Sequence, residues 1–169
     1  MLSENIQKLL NEHLGKEFYA SKAYLAMASW CDVNSWQGAA EFLYKGAEDE
    51  REHMLKIFRY INDNGGHAQV PATPEPPVNY NSLHEIFKNV LELEMSVANA
   101  IHQIVEASLT EKDYPTFLFL QEYVKEQQQA EQTARKILNL FEKFGDERER
   151  DLFFVDKYIK KWFVDNKEE

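Results

Sequence analysis

A single cysteine, Cys31, stands in the 169 residues. That excludes an internal disulfide framework and the thiolate-rich zinc or rubredoxin-type modules. Positive charge is short as well: 19 Lys and Arg stand against 29 Asp and Glu, for a formal net charge of −10. This balance argues against nucleic acid and against an anionic membrane surface as partners, and it fits attraction of cations. No uninterrupted apolar run is long enough to cross a bilayer. The start, Met1-Leu2-Ser3-Glu4-Asn5, has no basic region leading into an apolar one, so no secretory signal is expected. The expectation is a soluble, cytoplasmic protein whose residues 1–169 form one domain with a proper core.

What is present is helical periodicity. Ser3 is placed to cap a first helix over about 3–32. Ile6, Leu10, Leu14, Phe18 and Leu25 form one line along it, with His13, Glu17, Ala20, Tyr24, Met27 and Cys31 on a neighbouring line. After the turn Asp32-Val33-Asn34-Ser35, Ser35 is expected to cap a second helix over 36–64, which stops at Asn64-Gly65-Gly66. Periodicity then disappears over 65–81, where Pro71, Pro74, Pro76 and Pro77 cannot continue a helix. Such a length of extended chain reaches roughly 55 Å, further than the roughly 40 Å of the helices beside it. It reads as a crossover running the length of a bundle, because neither flanking helix pair would bury its apolar face alone.

Ser82 with Glu85 forms a capping box for a third helix over 82–110, whose inward line is Leu83, Phe87, Val90, Glu94, Val97, Ile101, Ile104 and Leu109. Asp113-Tyr114-Pro115 starts a fourth helix over 114–144, with a seam of Phe117, Leu120, Val124, Gln127, Glu131, Ala134, Leu138 and Phe141. A short fifth segment over 147–162 is rich in aromatics that need cover. The fold class is all-α: a four-helix bundle with a long crossover between helices two and three and a short C-terminal fifth helix.

Each long helix interrupts its apolar seam with polar residues: Glu17, Glu50 with His53, Glu94, and Gln127. Glu50 and His53 are three apart and so lie almost one above the other. Burying such a set is costly unless a cation sits among the helices. Carboxylate oxygen with one imidazole suits Fe(II) or Mn(II), and a bridging Glu50 can hold two metals roughly 3.5–4 Å apart. On the fourth helix a second Glu-x-x-His is replaced by Gln127-Gln128-Gln129-Ala130. That leaves one firmer position (Glu17, Glu50, His53) and one weaker (Glu50 and Glu94, with Gln127 nearby), which suits transient rather than permanent metal. Asp49 and Glu126 are weaker candidates. The bland alternatives are that Asp49, Glu52 and Glu126 form a solvated acidic face, that His13 with Glu17 and Glu126 with Glu131 are solvated, and that Tyr24 is core. His67, His84 and His102 read as surface or loop residues.

These residues resemble the non-haem ferritins over nearly the whole chain. The likeness rests on Glu17-Phe18-Tyr19-Ala20-Ser21 with Tyr24, Gly38-Ala39-Ala40-Glu41-Phe42-Leu43, Ala47 to His53, Asp113-Tyr114-Pro115-Thr116-Phe117, and Tyr123 to Gln127. The resemblance implies the ferritin-like fold and iron storage with ferroxidase activity. In it, Glu17, Glu50, His53, Glu94 and Gln127 ligate a pair of irons, and Tyr24 is the neighbouring electron source. It also implies a homo-oligomeric cage of twenty-four subunits, with the fifth helices meeting at its four-fold axes and with dioxygen or peroxide as oxidant. Gln127 with Ala130 is similar to the animal heavy chains, so a third iron site built on Asp49 and Glu126 is expected to be weak or absent. Arg51 stands where the haem-binding relatives carry methionine, so no haem is expected. Phe117 and Leu120 fall where animal ferritins line their three-fold channels with acids, which leaves that route for iron unsupported. Two other readings stay open: a non-storing di-metal oxidase or peroxidase of the rubrerythrin kind, and a metal-free helical interaction protein.

Overall fold

A computed structural model describes residues 1–168, with no strand among them. Four long helices, α1 (Glu4–Val33), α2 (Gln37–Asp63), α3 (Leu83–Thr110) and α4 (Tyr114–Phe144), precede a short α5 (Glu149–Ile159). The chain then widens into a π-helical turn, Lys160–Val164, and tightens into a 3-10 turn, Asp165–Glu168, where the sequence pattern predicts a plain helix to 162. α1 packs along α2 and α3 along α4, with α1 against α3 closing the bundle. The extended segment between α2 and α3 joins the two hairpins, as an all-α crossover bundle requires.

Local signals explain most of the ends. Ser3 Oγ accepts from Ile6 N at 3.1 Å, and Ser82 Oγ from Glu85 N at 3.0 Å. Glu85 in return accepts from Asn81 N, one residue before the cap, and not from Ser82 N as the expected capping box would have it. Asp113 accepts from Thr116 N at 3.1 Å ahead of Pro115 in the first turn of α4. Gly65, at φ 79°, follows α2, and Gly145, at φ 89°, ends α4; both angles favour glycine.

The start of α2 departs from expectation. Ser35 makes no cap; its backbone sits at φ 64° in the turn, and the capping position falls to Trp36, which offers no side-chain bond. The cap comes instead from α5. Buried Asp156 accepts from Gly38 N at 3.1 Å and Ala39 N at 2.8 Å. A carboxylate suits a helix N-terminus, where free amides and the helix dipole both favour negative charge. Lys160 adds an ion pair to Glu41 at 2.9 Å.

The core lies in two apolar clusters. One gathers Met27, Leu43, Phe87, Ile137 and Phe141 together with Val155 and Ile159 of α5. The other gathers Ile6, Leu10, Leu14, Ile57, Ile101 and Leu120. Burying side chains of this size stabilises by about 1.5–3 kcal/mol each relative to exposure. Some seam assignments shift. Leu25 and Leu109 are exposed, and α4 turns Tyr123 and Ile137 inward where the periodicity favours Val124 and Leu138. Phe153, Phe154, Tyr158 and Trp162 remain exposed on the outer side of α5.

Two substitutions test the cap. D156A should lower stability by about 1–2 kcal/mol, as loss of a helix cap does, and should open the C-terminal segment to limited proteolysis. G38A should act likewise, because an added Cβ would lie 2.2 Å from the Asp156 carbonyl oxygen. S35A should leave the melting temperature unchanged; a drop equal to that of D156A would contradict this assignment.

Candidate metal centre

Between the two apolar clusters the four helices each contribute polar side chains. α1 supplies His13, Glu17 and Tyr24, spaced so that all three face inward; His13 and Glu17 are fully buried. α2 supplies Glu50, buried, and His53, one turn on and partly open. Glu94 of α3 and Gln127 of α4 are buried opposite. One ligand atom each from Glu17, Glu50 and His53 lies within 4.8 Å of the other two, a spacing that a single metal ion can bridge. The set opens on a cleft of about 490 Å³ rimmed by Lys45, Asp49, Glu52, Lys56 and Glu126. Asp49 is exposed there.

Hydrogen bonds divide the site unevenly. Glu94 is well served: Tyr24 Oη donates to one carboxylate oxygen and Gln127 Nε2 to the other. The same Gln127 nitrogen also donates to the Glu94 backbone oxygen at 2.8 Å. Glu17 and Glu50 fare differently. Both Glu17 oxygens, Glu50 Oε2 and both His13 nitrogens are buried without a well-formed hydrogen bond. Buried polar atoms are seldom left so, and leaving them unpaired costs about 1–3 kcal/mol each. A divalent cation bound between Glu17 and Glu50 would satisfy the carboxylate atoms, so this donor set fits a metal ion.

His53 has two acidic neighbours. Its Nε2 lies 2.8 Å from Glu126 Oε2, and its Nδ1 lies 3.7 Å from Glu50 Oε2. Glu126, a weaker ligand candidate by sequence, meets the far side of the imidazole and can fix its orientation, as an outer carboxylate does for a ligating histidine. His13 was open to a solvated reading; it is instead fully buried, with Nε2 3.0 Å from Glu17 Oε1. The signal was its i, i+4 spacing to Glu17 on the inward line. Gly46 carried no such signal. A Cβ there would lie 2.6 Å from the Tyr24 ring, so the absence of a side chain lets the phenol lie against α2. His67 and His102 are exposed, while His84 pairs with Asp146 at 2.6 Å and stacks on Phe141. Leu120 is fully buried inside the bundle.

Burial dominates the electrostatics. It pushes the Glu50 carboxyl up to about 8, with Glu17 beside it adding to the rise. Burial and then the Glu50 charge bring Glu94 to about 7, and burial also raises Glu17. The Tyr24 phenol is raised well above its usual range by burial and by Glu94 and Glu50, so it keeps its proton and donates. Burial lowers His13 to about 3 and keeps it neutral. For His53 burial works downward, but the nearby carboxylates of Glu50, Glu17 and Glu126 outweigh it and raise the imidazole to about 9.

These directions predict how the cation-free protein responds to pH. Between pH 6.5 and 8 the unfolded chain has lost its carboxyl protons and sheds the remaining half of its imidazole protons, whereas the fold still holds protons at Glu50 and His53. Stability contributed by a raised group is lost as pH rises through the folded value, so the melting temperature should fall across this window. His13 acts in the opposite sense, but between about 3 and 6.5, below the window. Adding Zn(II) should raise the melting temperature most at the upper end, because the bound ion replaces the protons. A metal-free melting temperature that is flat from pH 6.5 to 8 would contradict the assignment.

With the geometry in hand, similarity to known proteins becomes informative. Residues 7–144 match the family described as Ferritin-like domain. A bacterial non-heme ferritin of Campylobacter jejuni is 41% identical over 160 residues, which is 95% of this chain and 95% of that protein. One from Staphylococcus aureus is 37% identical over 147 residues, 87% of this chain and 89% of its own length. Among solved structures, an open pore ferritin from the hyperthermophilic archaeon Archaeoglobus fulgidus superposes with a TM-score of 0.89 at 34% identity, covering 95% of this chain and 98% of that one. By sequence and by fold alike, this chain belongs to the ferritin family, among its bacterial non-heme members.

Proposed function

We propose that this chain takes up Fe(II), oxidises it within the bundle and stores Fe(III) as mineral inside a cage of many copies. The observation that carries the proposal is the trio Glu17, Glu50 and His53, whose ligand atoms converge while both Glu17 oxygens and Glu50 Oε2 lack a hydrogen-bond partner. Family membership supplies the context.

Iron is the substrate. The first Fe(II) binds Glu17, Glu50 and the Nδ1 side of His53, and Glu126 holds the opposite ring nitrogen. The second binds between Glu50 and Glu94, where Tyr24 and Gln127 orient the Glu94 carboxylate. Each Fe(II) gives up one electron; the two together reduce dioxygen, with two protons, to hydrogen peroxide. Tyr24 keeps its phenolic proton hydrogen-bonded to Glu94 and takes no part in this two-electron step. Three carboxylates do not balance two divalent ions, and they fall further short once both are trivalent. The oxidised pair is therefore held weakly and passes on to the mineral. Asp49 and Glu52, on the rim of the cleft, offer carboxylates on the way out.

The exposed aromatic side of α5 supports assembly through that helix into a homo-oligomeric, twenty-four-subunit cage. The chain acts as one domain, in the cytoplasm, without haem. No helix among the described residues is long and apolar enough to cross a membrane.

The test is anaerobic Fe(II) titration, then exposure to air, with particle size measured on the same sample. Uptake of many irons per subunit by a particle of roughly half a megadalton is expected for storage in a closed cage. Saturation at about two ions per bundle in a small oligomer would replace storage with a di-metal oxidase. H53A should slow oxidation at least tenfold, on the scale of a lost metal contact, and leave particle size unchanged. Loss of both together would count against the assignment.

A further inference from the structure

His13 is absorbed by none of the roles above. It is fully buried on α1, flanked in sequence by the buried Leu10 and Leu14, in a place where an apolar side chain would fill the same space. Its Nε2 instead approaches Glu17 Oε1 at 3.0 Å across one turn of helix. It is not one of the residues whose ligand atoms converge within 4.8 Å, so it touches a ligand and not the ion. We propose that His13 is a positioning residue of the metal centre: its Nε2–H holds one oxygen of Glu17 and so keeps that carboxylate turned toward Glu50 and His53. The inference rests on the metal-site reading above.

The chemistry fixes the tautomer. A carboxylate that ligates a cation is ionised and can only accept hydrogen bonds. The ring nitrogen facing it must therefore carry the hydrogen, which leaves Nδ1 as the bare nitrogen of a neutral imidazole. The contact is close but poorly aligned, since neither His13 Nε2 nor Glu17 Oε1 forms a well-shaped hydrogen bond. Contacts of this kind commonly tighten only when the site is loaded. The arrangement mirrors Glu126 on His53: each of the two outer ligands of the first position is backed by a side chain that does not meet the ion. Glu50, between them, has Oε2 without a hydrogen-bond partner.

The test compares wild type with H13L, H13M and H13Q. The first two remove the donor at nearly constant volume, and the third keeps an N–H within reach of Glu17. Calorimetric titration with Zn(II) and the visible spectrum of bound Co(II) read the site without any turnover, and the metal-free melting temperature checks folding. H13L and H13M should lose roughly 10–100-fold in affinity for the first ion, the usual cost of removing a residue that orients a ligand. Both should also shift the Co(II) spectrum, while H13Q stays close to wild type in each. Should H13L fold poorly, H13M carries the comparison. Wild-type affinity and spectrum in both apolar variants would overturn the proposal, as would an H13Q defect equal to theirs. A wild-type protein that takes up neither ion, or an E50A variant that binds as well as wild type, would instead overturn the metal-site reading beneath it.

Discussion

Desolvation of carboxylates is the constraint on which this structure depends. Glu17, Glu50 and Glu94 are held out of water at mid-bundle, and burial is the leading cause of the raised pKa of each. For Glu17 and Glu50 no well-formed hydrogen bond offsets that cost at Glu17 Oε1, Glu17 Oε2 or Glu50 Oε2. What keeps them there is the apolar packing on either side, one cluster running from Ile6 to Leu120 and another from Tyr24 to Ile159. The polar layer is thus a defect that the fold carries, affordable only because four long helices surround it with buried aliphatic surface.

The defect is unevenly repaired. Glu94 receives donors from Tyr24 and Gln127, so that corner is self-sufficient before any cation arrives. Glu17 and Glu50 are left with orphaned oxygens. A cation therefore gains most at the Glu17–Glu50 end, where it relieves unpaired atoms, and less at Glu94, where it competes with existing hydrogen bonds. On the proposed reading the Glu17–Glu50 end would fill first, because unpaired carboxylate atoms and the imidazole of His53 both favour a cation there.

Much of this was legible in the chain itself. Helix number, the crossover and the inward line of α1 follow from periodicity and from the proline cluster, because 3.6-residue spacing directly encodes which side is buried. Glu17, Glu50, Glu94 and Gln127 stood out because each interrupts an apolar seam. Contacts between distant segments did not show. Ser35 looks like a cap locally, but Asp156 takes the role from more than a hundred residues away. Gly46 gains its meaning only from the Tyr24 ring across the helix pair. The seam of α4 was misplaced by one position at Tyr123 and Ile137 because aromatic and aliphatic residues occupy both candidate lines, so hydrophobicity alone could not set the rotation.

The cap on α2 also orders events during synthesis. The amides of Gly38 and Ala39 leave the ribosome well ahead of their acceptor, Asp156, which lies more than a hundred residues further on. Until it arrives, the first turn of α2 has only water to bond. The hairpin that carries Glu17, Glu50 and His53 can pair before then, yet its second helix is free to fray at that end. Closure of the fold is thereby assigned to α5, and a nascent chain that still lacks α5 is marked by an open helix end.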